Sequence, residues 1–425
     1  MSDYLVPLVK VFFLMHPRKN LIIASVGTAF QYYDFVIYAL MAPYISKIFF
    51  PSSEHYTALV ETFMIFAAGY VSRLFGGIVL GMLGDKIGRK KVFMASVFIM
   101  AISTLSIGII PTCATWSLAP IILLALRLVQ GFCFGSHMPG AVTLVSEHAK
   151  KQSHAVSCGV LVSSLSLGIG FGAFVVYLLT VFLSEQSIQA WGWRIPFIFG
   201  GLFTIIVFLF RFYSEETPQF LQAPHVKNSF VELILYHKKR LLIGISTILF
   251  PANFAVFFLA MPSCFQEMFH YSFQQTYLAT ITGYLWGAIL LPIFGHLSNR
   301  TGRKALLLTG MILFAAIGLP MFSMLKHQSI ALLILFVLAY QTIIAIMSAS
   351  YFAMLSSIFP TEVRFTGVAL CYNLAVMPAS FMPAISNYLY KFSHESTPMV
   401  FILLIFAGIS ALTILLSKNI SNQMP

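Results

Sequence analysis

Asp34 lies in the stretch "GTAFQYYDFVIY" (27–38) and is the only charged residue between Leu21 and Ser46. A charge at the centre of an apolar helix costs about 2.5–3.5 kcal/mol on the insertion scale, so such a residue usually faces protein interior and has a partner or a task. Arg73 and Arg127 are also embedded in long apolar runs. A guanidinium is a rigid fork of donors suited to a carboxylate, and a buried carboxyl can exchange a proton. Gln31, Asp34 and Tyr38 are spaced to share one helical face. His137 is a residue type that titrates near neutral pH. Asn253, Tyr372 and Asn373 are polar groups in otherwise apolar helices. These nine residues are the candidates for a substrate and proton pathway.

The bland readings stand beside these. Asp34 is a proton or substrate site, a structural ion pair with Arg73 or Arg127, or a carboxylate facing lipid. Arg73 ties helices together or lines a cavity, Arg127 lines a cavity or forms a structural bridge, and His137 is a coupling group or a hydrogen-bonded interior histidine. Tyr32, Tyr33, Phe254, Phe257 and Phe258 suit a cage for an ammonium group. In a chain with 42 Phe, however, packing is the default role of such rings.

The elements that carry these residues follow from composition. The chain is 59% hydrophobic and 9% charged, with mean hydropathy +0.89, against about 25% charged in soluble domains. Apolar segments of about 20 residues, each long enough to cross a bilayer core of about 30 Å, recur throughout. They fall at roughly 20–47, 57–82, 92–111, 117–146, 154–183, 191–212, 240–262, 275–297, 304–325, 329–357, 365–390 and 396–417. The expected fold is an all-α polytopic membrane protein with twelve transmembrane helices in two six-helix halves. The longest polar stretch divides it into residues 1–212, a linker at 213–239, and residues 240–425. The first twenty residues lack the basic start and cleavage site of a signal peptide and read as a short helix at the inner surface.

Orientation follows from the loops, because Lys and Arg accumulate on the cytoplasmic side. Of the 25 Lys and Arg residues, Lys47, Arg194, Lys326 and Lys391 fall on one side, Arg73 and Arg127 fall within spans, and all the others fall on the opposite side. Both termini are therefore expected in the cytoplasm. The net charge of +12 reflects this bias and the lipid surface rather than nucleic acid. The five cysteines show no CxxC or metal-ligand spacing. There is no Walker motif, so ATP is not the expected driving force. No nucleophile–base constellation points to an enzyme, and no cofactor is implied.

One loop occurs twice. "GMLGDKIGRK" (81–90) follows the second span and "GHLSNRTGRK" (295–304) the eighth. "SEHAKKQSHAV" (146–156) and "FPTEVRFTGVA" (359–369) form a looser pair after the fourth and tenth. Matching motifs at matching positions argue for structural repeats, with a substrate site at their interface. Gly81, Gly88 and Gly302 permit tight turns and close approach. Asp85 can accept hydrogen bonds from a neighbouring helix N-terminus. Arg89 and Lys90 can pair with carboxylates across the seam between halves, and Arg300 and Arg303 belong to the second loop. Asn299 stands where the first loop has Asp85, so the first latch is expected to be stronger. Together these form a gating loop in each half.

The first loop resembles the G-x-x-x-D-[RK]-x-G-R-[RK] signature of the major facilitator superfamily. "YYDF" (32–35), "SRLFGGIVLGMLGDKIGRKK" (72–91), "RLVQGFCFGS" (127–136), "WGWRIPF" (191–197), "EETPQF" (215–220) and "FPTEVRFTGVALCYN" (359–373) narrow the resemblance to its metabolite:proton symporters. That family includes the proline/betaine transporter and the α-ketoglutarate permease. The resemblance implies a monomeric secondary transporter of the bacterial cytoplasmic membrane, driven by protons and carrying a small metabolite. Arg127 falls in the fourth-span motif associated with proton-driven members. The chain departs from the family in four places. Gln31 replaces a usual Glu, and Gly135-Ser136-His137 replaces Gly-Gly-Glu. Asn299 replaces Asp, and "AVMPASFMPA" (375–384) lacks a Gly-Gly pair.

The leading expectation is proton-coupled uptake of a carboxylate-bearing solute, an organic acid, amino acid or betaine, by alternating access. The alternative is a uniporter or exchanger of a similar solute without a proton step.

Overall fold

Hydrophobic helices whose polar backbone is satisfied internally are the solution open to such a chain in lipid. The computed structural model describes residues 19–51, 54–148, 154–211, 229–393 and 397–417, and among these there is no strand. The first half comprises α1 (Lys19–Leu40), α2 (Ala42–Phe49), α3 (His55–Ile87), α4 (Arg89–Ile109), α5 (Ala119–Phe134), α6 (His137–His148), α7 (His154–Phe182) and α8 (Arg194–Arg211). A short helix, α9 (Ser229–Tyr236), leads into the second half. That half comprises α10 (Lys238–Phe258), α11 (Met261–Glu267), α12 (Phe273–Thr301), α13 (Arg303–Ser323), α14 (Ile330–Ile358), α15 (Arg364–Ser393) and α16 (Thr397–Leu416). Ten segments meet the length and hydropathy needed to cross a membrane. The span begun by α1 and the one formed by α8 complete the twelve-helix architecture. The N-terminal surface helix and most of the linker expected from sequence lie outside the described residues.

Three expected spans break into two α-helices, and a proline closely follows each break, Pro262 following the turn at Leu259–Ala260 between α10 and α11. A proline has no N–H to give the carbonyl four residues earlier. Pro43 follows the break at Met41 between α1 and α2. Pro139 lies just inside α6 and leaves the Gly135 carbonyl without its helical donor. The side chain of Asn373 on α15 donates to that carbonyl at 2.8 Å. Pro292 within α12 similarly exposes the Ala288 carbonyl, which accepts from Ser163 Oγ on α7 at 2.6 Å. These two freed carbonyls are thus satisfied from the opposite half, as a buried backbone group requires.

The halves meet mainly where α3 runs along α15 and α7 runs along α12. These pairs exchange under the repeat, since the second span corresponds to the eighth and the fifth to the eleventh. The repeated loop adopts the same backbone twice. Gly88 has φ 105° between α3 and α4, and Gly302 has φ 90° between α12 and α13, a conformation open to glycine and strained for other residues. Within the first half, α3 and α5 cross at backbone contact. A Cβ on Gly131 would sit 1.9 Å from the Gly69 carbonyl oxygen, the small-residue packing typical of membrane helices.

The end opposite the repeated loops is also tied across the halves. His55 pairs with Glu267 at 2.6 Å, Lys391 pairs with Glu54, and Tyr277 Oη donates to the Leu40 carbonyl at 2.6 Å. Lys391 beside Glu54 holds that carboxyl below the usual glutamate range.

Candidate functional site

Three groups of residues come together, two buried among the helices and one at the basic end. The first surrounds Arg73. Its helix, α3, faces α15, so its side chain reaches from one half into the other. Arg73 is 1% exposed, and its Nε donates to Asn373 Oδ1 at 2.7 Å. The Asn373 amide thereby joins the guanidinium on one side to the Gly135 carbonyl on the other. The guanidinium carbon lies 4.7 Å from the centroid of Phe134, 4.9 Å from Tyr372 and 5.3 Å from Tyr70. Tyr372 and Tyr32 contact each other through their hydroxyls at 3.3 Å. Arg73 Nη2 has no hydrogen-bond partner, and no carboxylate pairs with Arg73 among the described residues. His137 is buried beside this box, its ring 5.6 Å from Phe134 and 6.3 Å from Tyr32.

The second group lies within the first half. Arg127, 0% exposed, donates from Nη1 to the Phe35 carbonyl at 3.2 Å and to Gln130 Oε1 at 2.9 Å. Its guanidinium stacks on the rings of Tyr38 and Phe35 at 4.5 and 4.7 Å. Its Nε and Nη2 have no partner. Asp34, also 0% exposed, is not paired with either arginine among the described residues. It points between α4 and α8, where a Cβ on Gly200 would lie 2.3 Å from its Oδ1. The hydroxyls of Thr104 and Thr204 flank the carboxyl, although neither oxygen has a hydrogen bond of good geometry.

The ion-pair expectation is therefore corrected. Asp34 and Tyr38 engage different helices, because Tyr38 Oη donates to the Thr62 carbonyl on α3 at 3.0 Å. Gln31 is buried with its Oε1 unpartnered. Asn253 bonds backbone carbonyls rather than Arg73. Its Nδ2 reaches the Leu249 and Ala375 carbonyls, each at 2.6 Å, and so ties α10 to α15. The proposed aromatic cage does not form one cluster. Tyr32 sits by Arg73, Tyr33 donates to the Pro196 carbonyl on α8, and Phe254 stacks on Tyr340 at 3.9 Å.

The third group is the pair of repeated loops. Asp85 Oδ2 accepts from Thr366 Oγ1 at 2.6 Å and from Thr366 N at 3.2 Å. Thr366 lies in the first turn of α15, where exposed N–H groups and the helix dipole favour an anion. Gly81 closes on the same residue, its Cβ position 3.2 Å from Thr366 Cα. The second loop is built differently. Asn299 and Arg300 are exposed. Arg303 donates within its own half to the Ala353 carbonyl at 3.0 Å and Ser357 Oγ at 3.1 Å, and crosses the seam with Nη2 3.3 Å from His154 Nδ1. Lys90 makes contacts at the same end, and the side chain of Arg89 lies outside the described residues.

Sequence reasoning missed His154, Thr104, Thr204 and Gln130. Gln130 had a usable signal, being three residues from Arg127 in an apolar helix, where i and i+3 are neighbours.

This is the architecture of a two-half membrane carrier, with a buried cation at the seam and latches at both ends. Residues 20–228 match the family model described as "Sugar (and other) transporter", and residues 243–420 match that of the major facilitator superfamily. The proline/betaine transporter of Salmonella typhimurium is 30% identical over 424 residues, covering 96% of this chain and 84% of that one. The citrate-proton symporter of Klebsiella pneumoniae is 30% identical over 375 residues, covering 87% and 84%. Among solved structures, the proton:xylose symporter XylE bound to 6-bromo-6-deoxy-D-glucose shares the fold, with TM-score 0.76, 17% identity and 96% coverage of each chain. The chain belongs to the major facilitator superfamily. It is a multi-pass secondary transporter of small molecules and not an enzyme.

Proposed function

We propose that this protein carries a small carboxylate-bearing metabolite or osmolyte together with protons across the bacterial cytoplasmic membrane. It works as a monomer with both termini in the cytoplasm. Residues 1–212 and 240–425 rock about the seam, with 213–239 as the connection.

Arg73 carries this reading. A buried guanidinium normally needs an anionic partner or full hydrogen bonding. Arg73 has a neutral amide on one side, aromatic faces around it and a free Nη2. A solute carboxylate meets that unsatisfied end, and Arg127 offers two more free donors nearer the first helix. Asp34 is the proton-exchanging group, since it is a buried carboxyl without a cationic partner. The names of the relatives, a proline/betaine transporter and a citrate-proton symporter, fit a carboxylate-bearing cargo. One feature favours an uncoupled exchanger: Gln31 and His137 stand where the family usually has carboxylates.

Purified protein in proteoliposomes tests this with radiolabelled L-proline, glycine betaine and citrate. Accumulation of one of them above equilibrium, only under an acid-outside pH gradient, is the expected result. Equilibration insensitive to the gradient selects the exchanger. No uptake of any of the three sinks the carboxylate assignment.

A further inference from the structure

We infer that Thr104 and Gln130 are positioning residues that form a hydrogen-bond bridge between Asp34 and Arg127, engaged when Asp34 is ionised and released when it is protonated. This rests on the reading of Asp34 as the proton-exchanging group.

The directions of the bonds are fixed by donor chemistry. An arginine only donates, so the Gln130 atom 2.9 Å from Arg127 Nη1 is the carbonyl oxygen. The Gln130 amide nitrogen must then face the other way, and it donates to Thr104 Oγ1 at 2.8 Å. Thr104 has one proton. It is directed back along its own helix to the Met100 carbonyl at 3.0 Å, a bond that threonine makes readily in helices. The Asp34 carboxyl lies beside the Thr104 hydroxyl.

Two states follow. If Asp34 is ionised, the Thr104 proton turns from Met100 to the carboxylate. Every link then donates in one sense, from the Arg127 cation through the amide and the hydroxyl to the Asp34 anion. Such a chain is charge-assisted and mutually polarising. If Asp34 is protonated, Thr104 keeps its bond to Met100 and the bridge is interrupted at the carboxyl, the arrangement found here. The bridge also spaces the two groups: Gln130 holds Arg127 away from a direct ion pair and leaves its Nε and Nη2 unengaged.

All four members are 0% exposed, so water does not short-circuit the chain. The other groups facing Asp34 are few. From α8 they are Thr204 and the bare Gly200, and from its own helix Tyr33, whose hydroxyl is bonded to the Pro196 carbonyl. Among the described residues no further charged side chain from α4 or α8 faces it.

Infrared difference spectroscopy on the full chain in proteoliposomes, titrated in pH without added solute, tests the bridge. The carboxyl band lost in Asp34→Asn reports Asp34. Thr104→Val and Gln130→Met keep shape but cannot pass the hydrogen bond on. Each is expected to move the midpoint of that band to more alkaline pH by about one unit, the size of one hydrogen bond to a charge. Thr104→Ser, which retains the hydroxyl, is expected to stay near wild type. A band that titrates identically in wild type, Thr104→Val and Gln130→Met overturns the bridge and leaves the proton role of Asp34 standing. Absence of any titrating band that depends on Asp34 overturns both. The two substitutions lie on different helices, so a folding defect in one leaves the other as the test.

Discussion

Arg73 Nε donates to Asn373 Oδ1 across 2.7 Å, so the buried cation of one half is held by an uncharged side chain of the other. The choice of an amide over a carboxylate matters. A carboxylate at 373 would form a fully desolvated ion pair across the seam, and breaking such a pair costs about 3–5 kcal/mol. Asn373→Asp gains that ion pair but loses the donor to the Gly135 carbonyl, so it is expected to stop transport without raising the thermal midpoint. Wild-type uptake by Asn373→Asp would show that Arg73 is not released during the cycle.

The latches at the basic end are expected to be unequal. Asp85 gives a carboxylate two donors at the start of α15, and hydrogen bonds to a charged group are worth about 1.5–3 kcal/mol each. Asn299 is exposed at the corresponding position. Initial uptake rates should fall about tenfold in Asp85→Asn and change less than twofold in Asn299→Ala, the larger effect matching about 1.4 kcal/mol. Equal losses would show that both loops act through features they share, such as Gly88 and Gly302.

How much of this could be read beforehand depended on range. The twelve spans were legible because each apolar run is a local signal of the right length. The breaks at Met41 and Gly135 were not, since hydropathy does not register the missing N–H of Pro43 or Pro139, although the prolines themselves were visible. Arg73, Tyr372 and Asn373 stood out singly as polar residues in apolar helices. That the first meets the other two is a contact across 300 residues of sequence, which no periodicity reveals. Thr104 was illegible for a different reason: a threonine that bonds its own helix is commonplace, and only Gln130 beside it gives it another meaning.

His154 offers a pH test at the second latch. Arg303 donates to its Nδ1, so that nitrogen carries no proton, and Nε2 lies 3.3 Å from Ser356 Oγ. Protonation puts a second cation against Arg303, with Arg364 also nearby and Cys158 the other titratable neighbour of that arginine. The contact is therefore present with neutral histidine and lost on acidification. Hydrogen exchange at the start of α7, corrected for intrinsic rates, should quicken at pH 5 relative to pH 8. His154→Gln, which can accept from Arg303 and donate to Ser356 without titrating, should abolish the difference. A difference that persists in His154→Gln assigns the acid response elsewhere.

Arg127 and Asp34 provide the last test, because they are both buried and yet unpaired. If they formed a direct pair, removing Arg127 would strand a charge that Asp34→Asn then relieves, and the double mutant would be more stable than Arg127→Ala alone. The bridged geometry predicts otherwise. The destabilisations of Arg127→Ala and Asp34→Asn should add to within about 0.5–1 kcal/mol in urea or thermal unfolding, since the two share only the Gln130–Thr104 link. Arg127→Lys keeps the charge but loses the planar fork that serves Phe35, Gln130 and the two free donors together. It should therefore bind whichever of proline, betaine or citrate is carried at least tenfold more weakly. An affinity within about threefold of wild type, or about 0.65 kcal/mol, would remove Arg127 from solute binding and leave it as the anchor of α1.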